Sequence, residues 1–232
     1  MPHTVTQFDA DLEALYRRVL LMGGLVEAQL YAATEVLAAG DMALAAGVIE
    51  QDHQVNAFEV EIDGLCATLI ARRQPAANDL RMVMAVTKVV TDLERVGDEA
   101  EKIARLAMQL HGGPCLGAYL PDVLRMAKMV RGMLLKALDA LARQDAAQAE
   151  RILQDDACVD EQFRSIFERL VSRSGDGPNH GAAAVDVLWV AKALERIGDH
   201  TKNVAQSVIY LALGTDVRHT EHRDGEQEKL AS

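Results

Sequence analysis

The chain is short of cysteine, aromatics and proline, and each shortage removes a class of protein. Its three cysteines, Cys66, Cys115 and Cys158, are scattered over 232 residues with no Cys-x-x-Cys pair. That set supports neither a disulfide framework nor a zinc ribbon and fits a reducing compartment. Aromatics make up 4% of the chain although hydrophobic residues reach 50%. The apolar content is therefore mostly Ala, Leu, Val, Met and Ile, too abundant for a disordered chain, too poor in rings for a β-sandwich, and well suited to helices. Charges interrupt the apolar stretches short of the roughly 18 residues of a membrane span. The opening MPHTVTQFDADLEALYRR has no apolar signal-peptide core, so a soluble protein of the cytoplasm is expected. Basic residues are also outnumbered: 24 Lys and Arg stand against 35 Asp and Glu, a net charge of −11. Such a chain is repelled by phosphate backbones, so no nucleic-acid partner is expected.

Five prolines, at positions 2, 75, 114, 121 and 178, leave long proline-free segments. Leu15, Val19, Met22, Val26, Leu30, Ala33 and Leu37 recur at three- and four-residue spacing, which predicts one amphipathic helix from Leu12 to about Gly40, with a bend at Gly23-Gly24. A second helix follows through Val48, Val55, Ile62 and Leu69 and stops before Pro75, because the residue preceding proline is pushed out of the α region. A third begins near Asn78 and Asp79, which cap it, and ends at His111-Gly112-Gly113-Pro114. The second half repeats the scheme, with helices from about Asp122 to Leu141, from Ala146 to Leu170 and from Ala182 to Leu213. SRSGDGPNHG, residues 172 to 181, reads as a loop. Trp189, Phe163 and Phe167 are assigned to the core, and Met126, Met129 and Met133 to a helix interface.

The repetition is literal. VVTDLERVGDEAEKIA, residues 89 to 104, aligns without a gap with VAKALERIGDHTKNVA, residues 190 to 205, at an offset of 101. Upstream, Asp52, Val55 and Asn56 align with Asp156, Val159 and Asp160 at an offset of 104. Duplication of this kind decides architecture. The fold class is all-α, with six long helices in two tandem, sequence-related three-helix bundles. The boundaries are 6–113 and 117–214, and 215–232 forms a polar tail expected to be disordered.

Within the third helix of each half, Glu94 and Asp98, and likewise Glu195 and Asp199, lie four residues apart and share a face. Like charges at that spacing repel by about 0.2–0.5 kcal/mol. Between them sits Gly97 or Gly198, each costing about 1 kcal/mol relative to Ala in a helix interior. A cation compensates the carboxylates most simply, and close approach of another helix accounts for the glycine. On the middle helices, Asp52 and Asn56, and Asp156 and Asp160, form oxygen-rich stripes that converge on these motifs if the helices pack antiparallel. Hard oxygen donors of this kind suit Mg, Mn, Ca or ferric iron better than a structural zinc site. A solvated face with surface ion pairs is the competing reading of each motif alone; its recurrence in both halves weighs against that. His200 points about 100° away from Asp199 on a helix and is read as a surface or packing residue. His219 and His222 are read as surface histidines of the tail.

Catalysis has little support: a Gly-rich phosphate loop, a G-x-S-x-G elbow and a usable Cys/His pair are all missing. A ferritin-like di-iron bundle needs two Glu-x-x-His motifs, and only Glu50-x-x-His53 is noted. A carboxylate-bridged metalloenzyme and a purely structural helical scaffold stay open as alternatives to a non-enzymatic regulator.

KALERIGDHTKNVAQSVIYLALG, residues 192 to 214, with TDLERVGDEAEKIA, LVEAQLYAATEVL and QPAANDLRMV, resembles the PhoU family of bacterial phosphate-signalling regulators over essentially residues 6 to 215. The resemblance implies two three-helix bundles related by a pseudo-twofold, often in a homodimer. It implies metal ions, Fe, Zn, Mg or Mn, in places as multinuclear clusters, on Glu94 and Asp98 in one repeat and Glu195 and Asp199 in the other. Asp52, Asn56, Asp156 and Asp160 are their expected partners. It further implies a negative regulator of phosphate uptake and phosphate-starvation signalling. Such a regulator adapts the ATPase subunit of the phosphate ABC transporter to a PhoR-type sensor histidine kinase and reaches the membrane through its partners only. The repeats differ where Glu99 and Glu101 stand opposite His200 and Lys202, and Lys102 opposite Asn203. The two sites are therefore expected to differ in occupancy.

Overall fold

The computed structural model describes residues 3–110, 114–173 and 178–217, and these fold as six helices: α1 (His3–Ala39), α2 (Met42–Arg73), α3 (Ala77–Leu110), α4 (Pro114–Arg143), α5 (Ala146–Ser172) and α6 (Pro178–Leu213). Helix starts and stops follow local chemistry. Gly40, at φ 68°, closes α1, and Asp41 then caps α2 by accepting from the backbone N–H of Ala43 and Leu44. Gln74 ends α2 in the left-handed region with its N–H on the Ile70 carbonyl, one residue ahead of Pro75. Asp145 caps α5 through the N–H of Gln148.

α1 runs through Gly23-Gly24 as one helix, and Gly23 is buried against Leu138 of α4, where a Cβ would collide. Three expectations change. α3 begins at Ala77, so Asn78 and Asp79 lie inside its first turn and do not cap it. α4 and α6 begin at Pro114 and Pro178, earlier than Asp122 and Ala182, so Pro121 lies inside α4. Pro114 and Pro178 stand at the first helical position, where proline costs no helical hydrogen bond. Pro121, the eighth residue of α4, removes the bond to the Gly117 carbonyl and reads in the sequence as a boundary, and the polar run before α6 offers no apolar periodicity. Phe163 is half-buried and packs against the core, but Trp189 and Phe167 are 49% and 44% exposed and lie outside it. Apolarity alone misplaced them. The expected ends at His111–Gly113, most of the loop at 172 to 181, the tail beyond Val217 and the histidines 219 and 222 lie outside the described residues.

α1, α3, α6 and α4 pack in a closed ring, α2 lies on α1 and α3, and α5 lies on α4 and α6. Their shared core holds Leu15, Met22, Leu30, Leu93, Leu134 and Leu194, each essentially water-free. Met126 and Met133 are buried in it, and Met129 packs against it, at helix interfaces. α1 is long and apolar enough to cross a bilayer by length and composition. That corrects the reading of its charges as interruptions, but its apolar face, including Val19, Val26 and Ala33, is spent on the interior.

The repeats meet chiefly along α3 and α6. Arg196 reaches Glu99 at 2.6 Å, and Asn203, further along α6, reaches Asp92, earlier on α3, at 3.0 Å. The two helices therefore run antiparallel. Adding 101 to an α3 position gives its counterpart on α6, so this antiparallel register is what a twofold relation between the repeats requires.

Candidate metal centres

Each carboxylate motif lies on the seam between a middle and a third helix. Gly97 is buried, and a Cβ built there would lie 3.0 Å from Gln29 Oε1, 3.2 Å from Val55 Cγ1 and 3.4 Å from Asp52 Oδ1. The missing side chain thus lets α2 bring Asp52 against α3. Gly198 does the same for Asp156 with more room, its nearest neighbours being Val159 Cγ1 at 3.4 Å and Asp156 Oδ1 at 3.6 Å.

In the first repeat Asp52 is buried at 5% exposure and both its oxygens are held by amides. Gln29 Nε2 donates to Oδ1 at 3.1 Å and Asn56 Nδ2 donates to Oδ2 at 3.0 Å. Glu94 is half-buried and Asp98 is exposed beside it. Burial, and then the charges of Asp98, Glu59 and Asp52, push the Glu94 carboxyl up to about 7, against the pull of Arg95. Burial, followed by Asp52, Glu101 and Glu99, raises Asp98 as well, and Arg196 opposes it. Glu59 is raised by burial and by Asp63 and Asp98. The face is a set of like charges held together by the fold at the expense of local repulsion.

The second repeat repeats the plan with cations built in. Asp156, 3% exposed, accepts from Lys202 Nζ at 2.8 Å on Oδ2. Glu195 is clasped by Lys192 at 2.5 and 2.7 Å. Burial and then Glu195, Asp156 and Asp160 still raise Asp199, and burial followed by Asp156 and Glu195 raises Asp160. The eight sequence-predicted residues therefore fall into two groups of four, one per repeat. In one, Asp52, Glu94 and Asp98 share their charges and Asn56 bonds Asp52; in the other, Asp156, Asp160, Glu195 and Asp199 do so.

The donor chemistry fits a hard cation. All donors are oxygens, and the buried oxygens Asn56 Oδ1, Gln29 Oε1 and Asp156 Oδ1 have no hydrogen-bond partner, which leaves lone pairs available. Among the described residues, however, no three His, Cys, Asp or Glu side chains are arranged to hold an ion as they stand.

Sequence reading missed Gln29, which comes from α1 and carries no local signal. It also missed the Arg196 link to Glu99, because that pair joins different repeats. Lys202 was visible as a departure from Glu101, but its contact with Asp156, 46 residues away, was not. His200 proves to be a packing histidine: it is 7% exposed and its Nδ1 lies 3.0 Å from Asp92 Oδ1 on α3. Glu50 and His53 are both exposed on α2, so this Glu-x-x-His pair lies outside the interior.

Fold and site together define a duplicated three-helix protein with one carboxylate face per repeat. The PhoU domain profile matches residues 19–107 and 123–208. The chain is 44% identical over 218 residues to the phosphate-specific transport system accessory protein PhoU homolog of Pseudomonas putida, covering 94% of this chain and 85% of that protein. It is 37% identical to phosphate-specific transport system accessory protein PhoU of Escherichia coli (strain K12), covering 94% and 90%. The crystal structure of PhoU from Pseudomonas aeruginosa superposes with a TM-score of 0.85 at 42% identity, covering 90% of this chain and 100% of that one. The phosphate transport system regulatory protein PhoU of Streptococcus pneumoniae gives 0.83 at 28% identity, covering 90% and 99%. The chain belongs to the PhoU family.

Proposed function

We propose that this protein is a cytoplasmic, non-enzymatic adaptor of phosphate transport, accessory to the phosphate ABC transporter. It damps uptake and the starvation response when phosphate is plentiful by linking the transporter ATPase subunit to a PhoR-type sensor kinase, and it works as a homodimer. The observation that carries this reading is the pair of matching carboxylate faces in a chain whose relatives are named accessory proteins of phosphate-specific transport.

Asp52 with Glu94 and Asp98, and Asp156 with Glu195 and Asp199, would hold the cations, with Asn56 and Asp160 at the edges. A bound Fe, Zn, Mg or Mn ion would supply the positive charge that each face lacks. The chain's own residues fix the buried aspartates: Gln29 and Asn56 orient Asp52, and Lys202 orients Asp156. The exposed Asp98 and Asp199 give each face its access to solvent.

Deleting the gene is expected to derepress a phosphate-starvation reporter in rich phosphate, and the wild-type gene is expected to restore silence. An unchanged reporter in the deletion strain overturns the regulatory reading. Co-purification from phosphate-rich cells is expected to bring the transporter ATPase or the kinase with the protein.

A further inference from the structure

The two ends of the seam between α3 and α6 depart from their twofold plan. Arg196 on α6 is matched by Glu99 on α3, which it meets at 2.6 Å. The counterpart pair, at the same offset of 101, is Arg95 and His200. A histidine therefore stands where Arg95 would find its carboxylate. His200 turns instead to Asp92, whose counterpart is Ala193. Arg95 is left exposed, acting on Glu94 and Glu59 through charge rather than a described ion pair.

At this point a polar groove of about 590 Å³ opens between the two helices, with Arg95 and Lys88 on its α3 side and Asn203, Gln206 and Ser207 on its α6 side. Lys88 Nζ sits 5.2 Å from the centre of the Tyr210 ring and makes no ion pair among the described residues. The counterparts of Thr87, Lys88 and Ser207 are Leu188, Trp189 and Leu106. The other end of the seam is thus apolar, with Lys102 stacked over Trp189 at 5.2 Å, and the polar groove is peculiar to one end.

The groove carries both signs of hydrogen-bonding group. Lys88 and Arg95 donate and carry charge. Asp92 also lines it, and it accepts both its bonds, from Asn203 Nδ2 and from His200 Nδ1, on Oδ1 at 3.0 Å. Its Oδ2 takes none of these bonds and is available as an acceptor. The Thr87 and Thr91 hydroxyls donate to the carbonyls of Met84 and Thr87, so they too present lone pairs to the groove. A fully deprotonated anion such as sulfate or a carboxylate meets the two cations but is repelled by Asp92. An oxyanion that keeps a proton satisfies both, its bare oxygens on Lys88 and Arg95 and its O–H on Asp92 Oδ2.

We propose that this groove binds a hydrogenphosphate group, free or on a small monoester. The assignment rests on the groove's own side chains and stands independently of the metal and adaptor readings.

Calorimetric titration of the full chain, kept in EDTA so that the carboxylate faces bind no metal, tests it. Inorganic phosphate, glycerol 3-phosphate and sulfate are titrated at matched ionic strength. Saturable binding of phosphate or the monoester at least tenfold tighter than sulfate is expected, and the tighter of the two identifies the source of the group. Arg95→Gln, at an exposed position, is expected to weaken that binding tenfold or more, Gln206→Tyr to block it by filling the groove, and Asp92→Asn to abolish the preference over sulfate. Absence of saturable binding, equal affinity for sulfate, or undiminished affinity in both Arg95→Gln and Gln206→Tyr overturns the proposal.

Discussion

Lys202 donates to Asp156 Oδ2 at 2.8 Å and thereby places a cation inside the second carboxylate face, at a position where the first repeat has Glu101. Asp52, the counterpart of Asp156, is held by two neutral amides. The same buried aspartate is thus neutralised in one repeat and only oriented in the other. Residues 1 to 112 carry 9 basic and 17 acidic side chains and the remainder 15 and 18, so the imbalance of the first half is greater and its face is the stronger cation attractor.

Lys202→Gln removes that internal cation and leaves Asp156 charged and almost dry. A charge-assisted bond of this kind contributes about 2 kcal/mol, and chemical denaturation in EDTA is expected to show a loss of that size. Added Mn is expected to restore more stability in the variant than it adds to wild type, because Asp156 then recruits a metal in place of the ammonium.

The two glycines separate by their surroundings. A methyl at Gly198 meets its nearest atom at 3.4 Å, ordinary contact, whereas one at Gly97 meets Gln29 Oε1 at 3.0 Å and Val55 Cγ1 at 3.2 Å. Gly198→Ala is expected to stabilise by a fraction of the about 1 kcal/mol helix-propensity difference. Gly97→Ala is expected to lower the melting temperature, by forcing Gln29 off Asp52. Thermal melts of the two variants side by side check the difference in sign.

Burial, with the charge of Asp63 behind it, pushes the Cys66 thiol up to about 11 from an ordinary 9.0, while Cys158 is exposed. Because the folded value is the higher one, the folded state keeps its proton longer. The associated stability is fully present below pH 9 and is lost as pH rises towards 11. At pH 8, N-ethylmaleimide is expected to label Cys158 in minutes and Cys66 only on unfolding, as read by peptide mass mapping.

Sequence sufficed for whatever is periodic or duplicated. The apolar recurrence from Leu15 to Leu37 marks one buried face of one helix, and the aligned LER(V/I)GD segments imply two equivalent units. The helix stop before Pro75 is likewise written locally, whereas Asp79 falls inside the first turn of α3 and is not its cap. Contacts between repeats are not written locally. Neither Asp92 with His200 nor Arg196 with Glu99 follows from spacing, since both depend on the antiparallel register of α3 on α6. Trp189 misled because an aromatic at helical spacing carries no label for which side faces the neighbour. The first turns of α4 were missed because Pro121 reads as a helix boundary, and those of α6 because its polar start has no apolar period to betray the helix.

The central claim, that each repeat presents a cation-binding carboxylate face, is tested most directly by elemental analysis after loading with Mn or Fe and exhaustive dialysis. Wild type is expected to retain metal, and the variant with Glu94, Asp98, Glu195 and Asp199 all replaced by Ala is expected to retain none. Metal retained by that variant at undiminished stoichiometry would contradict the assignment.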